Sequence, residues 1–355
     1  MTRGTRDSGT VEQARSTQSE PLRRHRYFKA AVIVSVAVIM GALFAVTYSI
    51  ALGRPVPRHI PAALVSPDRP DPAIISALQQ ATNGALDFRA YASFDAARAA
   101  IDKRQVYAAL ILAPGRAATV LIASAAGFSV ARVLEQAVQR AESQLGRPLD
   151  IQDVRPLPRS DPQGLVPFYV TIAATFVGFV TIFQLRANVG DLSMREWLFA
   201  VGALAVLIGI ALTVVSGPVL GALRGPIDQL WGAFAMQSAV AALFASTMLV
   251  IIAQWAIVPT WLLFIVLGNT SSGGAVAPPL LPPLLAWLNR FAPSGATVTL
   301  VHDAAYFPHA AHLQPLVVDA CWLVGTLAAL IVAVRVTHRL PTGKPVPAHT
   351  MINSP

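Results

Sequence analysis

A long uncharged stretch dominates this sequence, because no Asp, Glu, Lys or Arg lies between Asp228 and Arg290. A transmembrane helix needs about 20 apolar residues, so this stretch has room for two or three membrane passes. A soluble core of that length would lack the charged face that soluble helices keep. Charged residues make up only 13% of the chain, about half the usual share of a soluble domain. The sequence therefore predicts an integral membrane protein.

Six apolar blocks in the sequence are interpreted as transmembrane spans. They run from about Ala30 to Leu52, Leu165 to Leu185, Leu198 to Leu220, Trp231 to Gln254, Ile257 to Leu267 with a continuation beyond it, and Leu316 to Val336. The first block is longer than the apolar core of a typical signal peptide, which favours an uncleaved signal anchor. The expected fold class is an α-helical polytopic membrane protein with six spans.

Basic residues in the two tails set the expected orientation. The N-terminal tail, residues 1–29, contains a basic cluster from Arg23 to Lys29, and the C-terminal tail, residues 337–355, contains no acid. Because cytoplasmic loops are enriched in Lys and Arg, both tails are predicted to be cytoplasmic, which an even number of spans permits. No stripe of interleaved basic and aromatic residues indicates nucleic-acid binding. The lipid bilayer is the expected partner.

Residues 53–163 differ from the rest and are predicted to form an extracytoplasmic domain between the first two spans. Strand and helix signals alternate there in the order βαβαββαβ, which predicts a mixed α/β sheet domain. Asp71 and Pro72 supply an N-cap and a first-turn proline for one helix, Ser93 caps another, and Gly146 ends the last. These local signals also predict that the domain folds independently.

An irregular sequence, LGNTSSGGAVAPPLLPP, occupies Leu267–Pro283 in the most apolar part of the chain. Irregular backbone is not tolerated against lipid, so this segment must be sheltered by other spans or line a polar cavity. We interpret residues 268–290 as a re-entrant segment that ends the fifth span near Asn269 and returns to the outer surface by Arg290. A plain external loop is the alternative interpretation. Residues 164–336 would then form a bundle of five spans.

The candidate substrate-path residues of this segment are Asn269, Ser272, Gly273, Gly274 and Pro282. Asn269 and Ser272 offer polar contacts to a passing substrate. Gly273 and Gly274 allow positive φ and close backbone approach, so valine at either position is predicted to abolish function or assembly. Gly295 falls in a predicted outer loop, where valine is expected to have a mild effect.

Two further features have both a structural and a functional interpretation. Gly217, Gly221 and Gly225 repeat every four residues, which predicts a helix-packing face either within the bundle or in a homodimer. Asp319 lies a few residues into the last apolar block and is a candidate intramembrane acid, with an interfacial carboxylate as the alternative.

His302, Asp303, His309 and His312 precede the last span and are the one candidate set of metal ligands. Their spacing matches no standard zinc motif, so no metal and no cofactor is expected. No nucleophile, acid–base pair or metal set is recognisable elsewhere, and the chain is therefore not expected to be an enzyme.

Several short motifs, taken in order, resemble the phage infection protein family. NTSSGG is followed by LLPP, FAPSGA and DAAYF, and this order is similar to the C-terminal end of that family. VYAALIL with ASAAG, and DVRPLPRSDPQG before the second span, are similar to the same family. The resemblance covers residues from about 30 to 336.

This family is related to the permease subunits of type-2 ABC exporters, so the resemblance implies a permease-like protein of the bacterial inner (plasma) membrane. It implies no catalytic residues. The sequence also lacks a phosphate-binding P-loop, because Gly343 and Lys344 precede Pro345, and His338 stands where the first glycine belongs. The ATPase of such an exporter would be a separate ATP-binding subunit.

The sequence leaves two functions open. The first is export of an amphiphilic or envelope-related molecule, in the manner of type-2 ABC permeases. The second is a non-transporting surface protein, whose external domain docks a phage, a secretion machine or cell-wall material.

Overall fold

A computed structural model describes residues 9–53, 55–66, 71–112, 117–308, 310 and 312–345, with side chains from Tyr27 onward. The ends of both predicted tails therefore lie outside the described residues. The chain divides into two compact units after Thr47. The first unit is the greater part of helix α1, which spans Gly9–Leu52.

The second unit begins with a mixed α/β domain whose elements follow the predicted order. The strands and helices are β1 (Ile60–Val65), α2 (Pro72–Ala81), β2 (Leu86–Ala90), α3 (Phe94–Asp102), β3 (Ala108–Ile111), β4 (Thr119–Ile122), α4 (Phe128–Leu145) and β5 (Asp150–Asp153). The predicted caps are present: the Asp71 carboxylate accepts from the Ala73 amide at 2.9 Å and the Ser93 hydroxyl from the Ala96 amide at 3.1 Å. Each satisfies an amide that the first helical turn leaves unpaired.

The five strands form one sheet in the order β2-β1-β3-β4-β5. β1 pairs in parallel with β2 and with β3, and β4 pairs in parallel with β5, whereas β3 and β4 are antiparallel. A parallel pair needs a crossover, and helices α2, α3 and α4 supply the crossovers. The predicted mixed sheet is confirmed.

A helical bundle follows the α/β domain. Its helices are α5 (Val166–Asn188), α6 (Met194–Val214), α7 (Ile227–Ile252), α8 (Ile257–Trp261), α9 (Asn269–Ser271), α10 (Pro283–Asn289), α11 (Pro293–Tyr306) and α12 (Leu313–Thr337). α7 is central, because it contacts α5, α6, α11 and α12. Residues 262–268 continue α8 into α9 as a π-helical segment.

Five helical segments among the described residues are long and apolar enough to cross a membrane. They are Tyr27–Leu52, Val166–Asn188, Met194–Val219, Ile227–Ser271 and Leu313–Thr337. The fourth segment, of 45 residues, contains both the predicted fourth and fifth spans. It is interrupted at Ala253, where φ is 50° and a short 3-10 turn begins. These helices fit a polytopic membrane protein.

Hydrogen bonds define the end of the bundle that lies away from the α/β domain. Trp197 at the start of α6 donates its indole N–H to Ser246 in the last part of α7 at 2.9 Å. Arg186 at the end of α5 donates to the carbonyl of Pro341, just after α12. The turn between α5 and α6, the end of α7 and the end of α12 therefore lie together.

The core of the α/β domain is shared with segments from the bundle sequence. Buried residues that join one side of this core are Val276, Ala277, Leu280, Leu281 and Leu285, and those that join the other side are Phe307 and Ala310. The prediction of independent folding rested on local caps and strand–helix alternation, and these signals do not reveal long-range partners. The packing instead makes the domain and the bundle parts of one compact unit.

Candidate functional site

Helices α10 and α11 form a hairpin that runs from the α/β domain into the bundle and back. Leu281, just before α10, and Phe307, just after α11, both pack into the core of the α/β domain. Between them, Ser294 at the start of α11 lies 3.3 Å from the Gln237 amide nitrogen in α7. Pro283 and Pro293 occupy first-turn positions of the two helices, where proline fits without loss of a hydrogen bond.

The hairpin, residues 283–306, changes the interpretation of the irregular sequence before it. The prediction placed the re-entrant segment at residues 268–290, with Arg290 back at the outer surface. Residues 276–281 instead reach the α/β domain, and Arg290 lies in the turn between the two hairpin helices. Of the prolines that suggested irregular backbone, Pro278 begins a short 3-10 turn and Pro283 begins α10, and the sequence does not separate such helix starts from turns.

Four of the predicted substrate-path residues lie in or just after α9, and two of them are joined by a local hydrogen bond. Asn269 and Ser272 are buried, and the Ser272 hydroxyl donates to the Asn269 carbonyl at 2.8 Å. The side-chain oxygen of Asn269 has no hydrogen-bond partner among the described residues. Gly273 has φ of 78°, as the sequence predicted for this position. A Cβ on Gly274 would lie 2.8 Å from Cβ of Phe168.

Pro282 lies next to the hairpin, and Gly295 lies within it rather than in an outer loop. Pro282 is the residue immediately before α10. Gly295 is buried within α11, and a Cβ there would lie 2.5 Å from the carbonyl oxygen of Asn289. The prediction that valine is mild at Gly295 is therefore wrong, because the backbone of α10 occupies the space that the side chain would need.

A chain of hydrogen-bonded polar side chains crosses the interior of the bundle. The amide nitrogen of Gln237 in α7 lies 2.6 Å from the Thr175 hydroxyl in α5 and 3.3 Å from the Ser294 hydroxyl in α11. On the other side, the Thr297 hydroxyl lies 3.0 Å from the Gln237 side-chain oxygen and 3.0 Å from the Asp319 carboxyl in α12. We call these five residues the polar chain.

All members of the polar chain are fully buried, with an exposed fraction of 0%. Buried polar groups of this kind rigidify a core when each is paired, and leaving one unpaired costs about 1–3 kcal/mol. Close approach of α5 and α7 permits the pairing, since a Cβ on Gly178 would lie 2.6 Å from the Ser238 carbonyl oxygen. The polar chain thus joins four helices through side chains rather than through apolar packing alone.

A cavity of about 210 Å³ lies between the α/β domain and the helices. Residues that line it include Arg104, Asn289, Thr299, His312, Gln314 and Pro315. Pro315 and Asp319 are four residues apart on α12, so they share one face of that helix. Asp319 therefore lies one helical turn beyond the cavity wall.

An ion pair links the α/β domain to the hairpin beside this cavity. Arg104, after α3, lies 2.5 Å from one carboxylate oxygen of Asp303 in α11. The other oxygen of Asp303 lies 2.8 Å from Nδ1 of His312. The Arg104 guanidinium also lies over the Phe307 ring, 5.6 Å from its centroid. The pair of Arg104 and Asp303 is largely buried. We call this pair the clamp, because it joins the α/β domain to the hairpin.

The histidines considered as metal ligands are arranged differently from one another. His302 is buried, and burial, with the nearby positive charge of Arg104, lowers its pKa to about 3, so the ring is neutral. Its ring packs edge-on against Tyr306, whereas His312 contacts Asp303. No group of three or more metal-ligating side chains occurs in the described part of the chain. His309 lies outside the described residues.

The glycine repeat does not form a helix-packing face. Helix α6 passes into a π-helical turn at Val215–Val219, so Gly221 and Gly225 lie beyond the helix. Gly221 has φ of 63° and open space around it, whereas a Cβ on Gly225 would clash with the Ala304 carbonyl oxygen. The repeat therefore contributes one close contact with α11 and no continuous surface.

Sequence reasoning identified Asp319 but missed its partners. Thr175, Gln237 and Thr297 are uncharged polar residues within or near apolar blocks, and that isolation was the available signal. Arg104 was also missed, because its partner Asp303 is distant in sequence and only the fold brings the two together.

Comparison with known proteins gives no match: no family model, no curated protein and no solved structure matches this chain. The resemblance to the phage infection protein family therefore stays a prediction from short motifs.

Proposed function

We propose that this chain is a permease-like protein of the bacterial inner (plasma) membrane that exports an amphiphilic or envelope-related molecule. The polar chain carries this proposal. Polar and ionisable side chains inside a membrane bundle are expensive, and they commonly mark the path of a substrate or ion. Here five such residues from four helices meet at 0% exposure in a bundle whose outer helices are apolar enough for lipid.

The proposal includes six spans, with both termini in the cytoplasm and the α/β domain outside. α7 and α12 run in the same direction. Thr297 joins Gln237 of α7 to Asp319 of α12, and further along both helices Thr247 is hydrogen-bonded to Thr326. A return crossing between these helices, through residues 257–271, fits this arrangement. A continuous 45-residue helix would also be about 68 Å long, more than twice the ~30 Å hydrocarbon core.

Charge supports the same orientation. The bundle end away from the α/β domain carries basic residues that would face the cytoplasm under the positive-inside rule. They are Arg186, Arg195, Arg335, Arg339 and Lys344. The motif resemblance adds an ATP-binding subunit on a separate polypeptide.

Downhill transfer in proteoliposomes tests the transport proposal without the ATPase. The purified chain would be reconstituted with a fluorescent phospholipid, a lysophospholipid and a single-chain amphiphile in turn. We expect transfer of at least one probe above the rate of protein-free liposomes. Gln237→Leu should slow that transfer by about tenfold, because it leaves Thr175 and Thr297 without their shared partner, at a cost of roughly 1–3 kcal/mol.

Gln184→Leu is the matched control, since it is the same substitution at an exposed position of α5. It should transfer the probe at the rate of the unmodified chain. Absence of transfer for all three probes would contradict the proposal. The docking function would then be preferred.

A further inference from the structure

We infer that Asp319 is a proton-binding site, held as a neutral carboxylic acid that exchanges its proton with the side of the α/β domain. This inference goes beyond transport and does not need a substrate. Three observations support it. They are the donor and acceptor roles in the polar chain, the lack of a cation paired with Asp319 among the described residues, and the cavity one helical turn from Asp319.

Donor and acceptor roles along the polar chain require a proton on Asp319. The Thr175 hydroxyl donates to the Thr171 carbonyl at 2.8 Å, so toward Gln237 it can only accept. The amide nitrogen of Gln237 therefore faces Thr175, and its oxygen faces Thr297. An amide oxygen has no proton to donate, so Thr297 donates its single hydroxyl proton to Gln237.

The remaining contact is the 3.0 Å approach of Thr297 to Asp319. With its proton already used, the Thr297 hydroxyl can only accept in this contact. A carboxylate cannot donate, but a protonated carboxyl can. Asp319 in its neutral form satisfies every contact in the chain, whereas its ionised form leaves two acceptors facing each other.

The charge balance around Asp319 also favours the neutral acid. Its side chain is fully buried, and one carboxyl oxygen has no hydrogen-bond partner among the described residues. An unpaired buried carboxylate is so costly that the group takes up a proton instead. Arg104, whose guanidinium reaches α11 at Thr299 and Asp303, is paired with Asp303.

Titratable and charged groups on the elements packed against α12 do not pair with Asp319. On α7, α11 and α12 these residues are Asp228, His302, Asp303, Tyr306, Cys321 and Arg335, with Arg290 just before α11 and His312 just before α12. None of them forms a hydrogen bond or ion pair with Asp319, whose described partner is the neutral Thr297.

The cavity beside the α/β domain gives the proton a route. It is lined by polar groups of Asn289, Thr299 and Gln314, and its wall at Pro315 is one turn of α12 from Asp319. Polar cavities of this size hold water when the water has several polar partners. A hydronium ion in such water transfers its proton to the carboxylate and leaves a water molecule, and the reverse step returns the carboxylate and hydronium.

Infrared difference spectroscopy of the full chain in liposomes tests the site directly. At neutral pH we expect a carboxylic-acid C=O band that disappears in Asp319→Asn. The band should shift after transfer to D₂O, because the proton exchanges through the cavity, and it should be lost as pH is raised. Asp161→Asn is the control, since buried Asp161 accepts from two backbone amides and from Tyr306 outside the polar chain, and the band should persist in it.

A second pair of variants keeps the test informative if Asp319→Asn does not fold. Thr297→Val removes the acceptor and should shift the band to higher frequency, whereas Thr297→Ser should leave it in place. Absence of a neutral-acid band at every pH, or a band that D₂O does not shift, would overturn the proton site. Loss of the band on adding Na⁺ at constant pH would show a metal-cation site instead. These spectra are independent of any transported molecule, so they fail separately from the transport assay.

Discussion

At the scale of single residues, the absence of a side chain positions the hairpin as much as any hydrogen bond does. Gly295 lets the start of α11 lie directly against the last residue of α10. Gly274 and Gly225 do the same against Phe168 and Ala304. The Gly295 contact matters for the polar chain, because Ser294 and Thr297 lie close to Gly295 on the same helix.

Gly295→Ala is expected to destabilise the protein. The new methyl group would meet the Asn289 carbonyl oxygen at 2.5 Å, and backbone cannot move aside as a flexible side chain does. Overpacking of this kind costs about 1–3 kcal/mol. Gly325→Ala in α12 is the control, since nothing lies within 4 Å of its Cβ position. Thermal unfolding in detergent should show a lower midpoint for Gly295→Ala alone. Equal midpoints would mean that α10 is not packed there.

At the scale of elements, the hairpin is the connection between the sheet and the bundle. Its two ends contribute to the α/β core, and its middle contributes Ser294 and Thr297 to the polar chain. The clamp between Arg104 and Asp303 joins the end of α11 to the α/β domain. A change in the position of the α/β domain would therefore move residues of the polar chain.

The clamp is expected to be strongly coupled. Removing one partner of a buried pair leaves an uncompensated charge, so Arg104→Met and Asp303→Asn should each cost roughly 3 kcal/mol. The double variant should cost less than the sum, because no charge is then left alone. Unfolding by denaturant measures all three. As a control, Asp191→Asn removes the exposed pair with Lys344 and should leave stability unchanged. Additive costs would show that the pair is not formed.

Local signals predicted the α/β elements well, and long-range packing explains where prediction failed. Caps at Asp71 and Ser93 and the left-handed Gly146 fixed helix ends because they act within a few residues. The hairpin was missed because Pro283 and Pro293 are compatible with both turns and helix starts. Asp319 was recognised because it lies a few residues into an apolar block, but hydropathy does not say which helix face meets Gln237 and Thr297.

At the scale of the whole molecule, the α/β domain and the bundle share one core, so the orientation of one fixes that of the other. The start of α5 follows Asp161, whose carboxylate caps it and also accepts from Tyr306 at the end of α11. The ends of α5, α7 and α12 lie at the opposite end of the bundle. The proposed topology therefore puts the α/β domain and the turn between α5 and α6 on opposite sides of the membrane.

Cysteine labelling of intact cells decides this topology and the number of spans together. In a Cys321→Ala background, Ala99→Cys should react with an impermeant thiol reagent, whereas Gly190→Cys and Gln254→Cys should react only after lysis. All three positions are exposed in the structure. A cysteine that is not labelled in intact cells is therefore shielded from the reagent by the membrane rather than by burial in the protein. Gln254 is the decisive site, because it lies at the interruption that divides Ile227–Ser271 into two passes. If Gln254→Cys stayed unreactive after lysis while Gly190→Cys reacted, the interruption would lie within the bilayer and the six-span arrangement would be wrong.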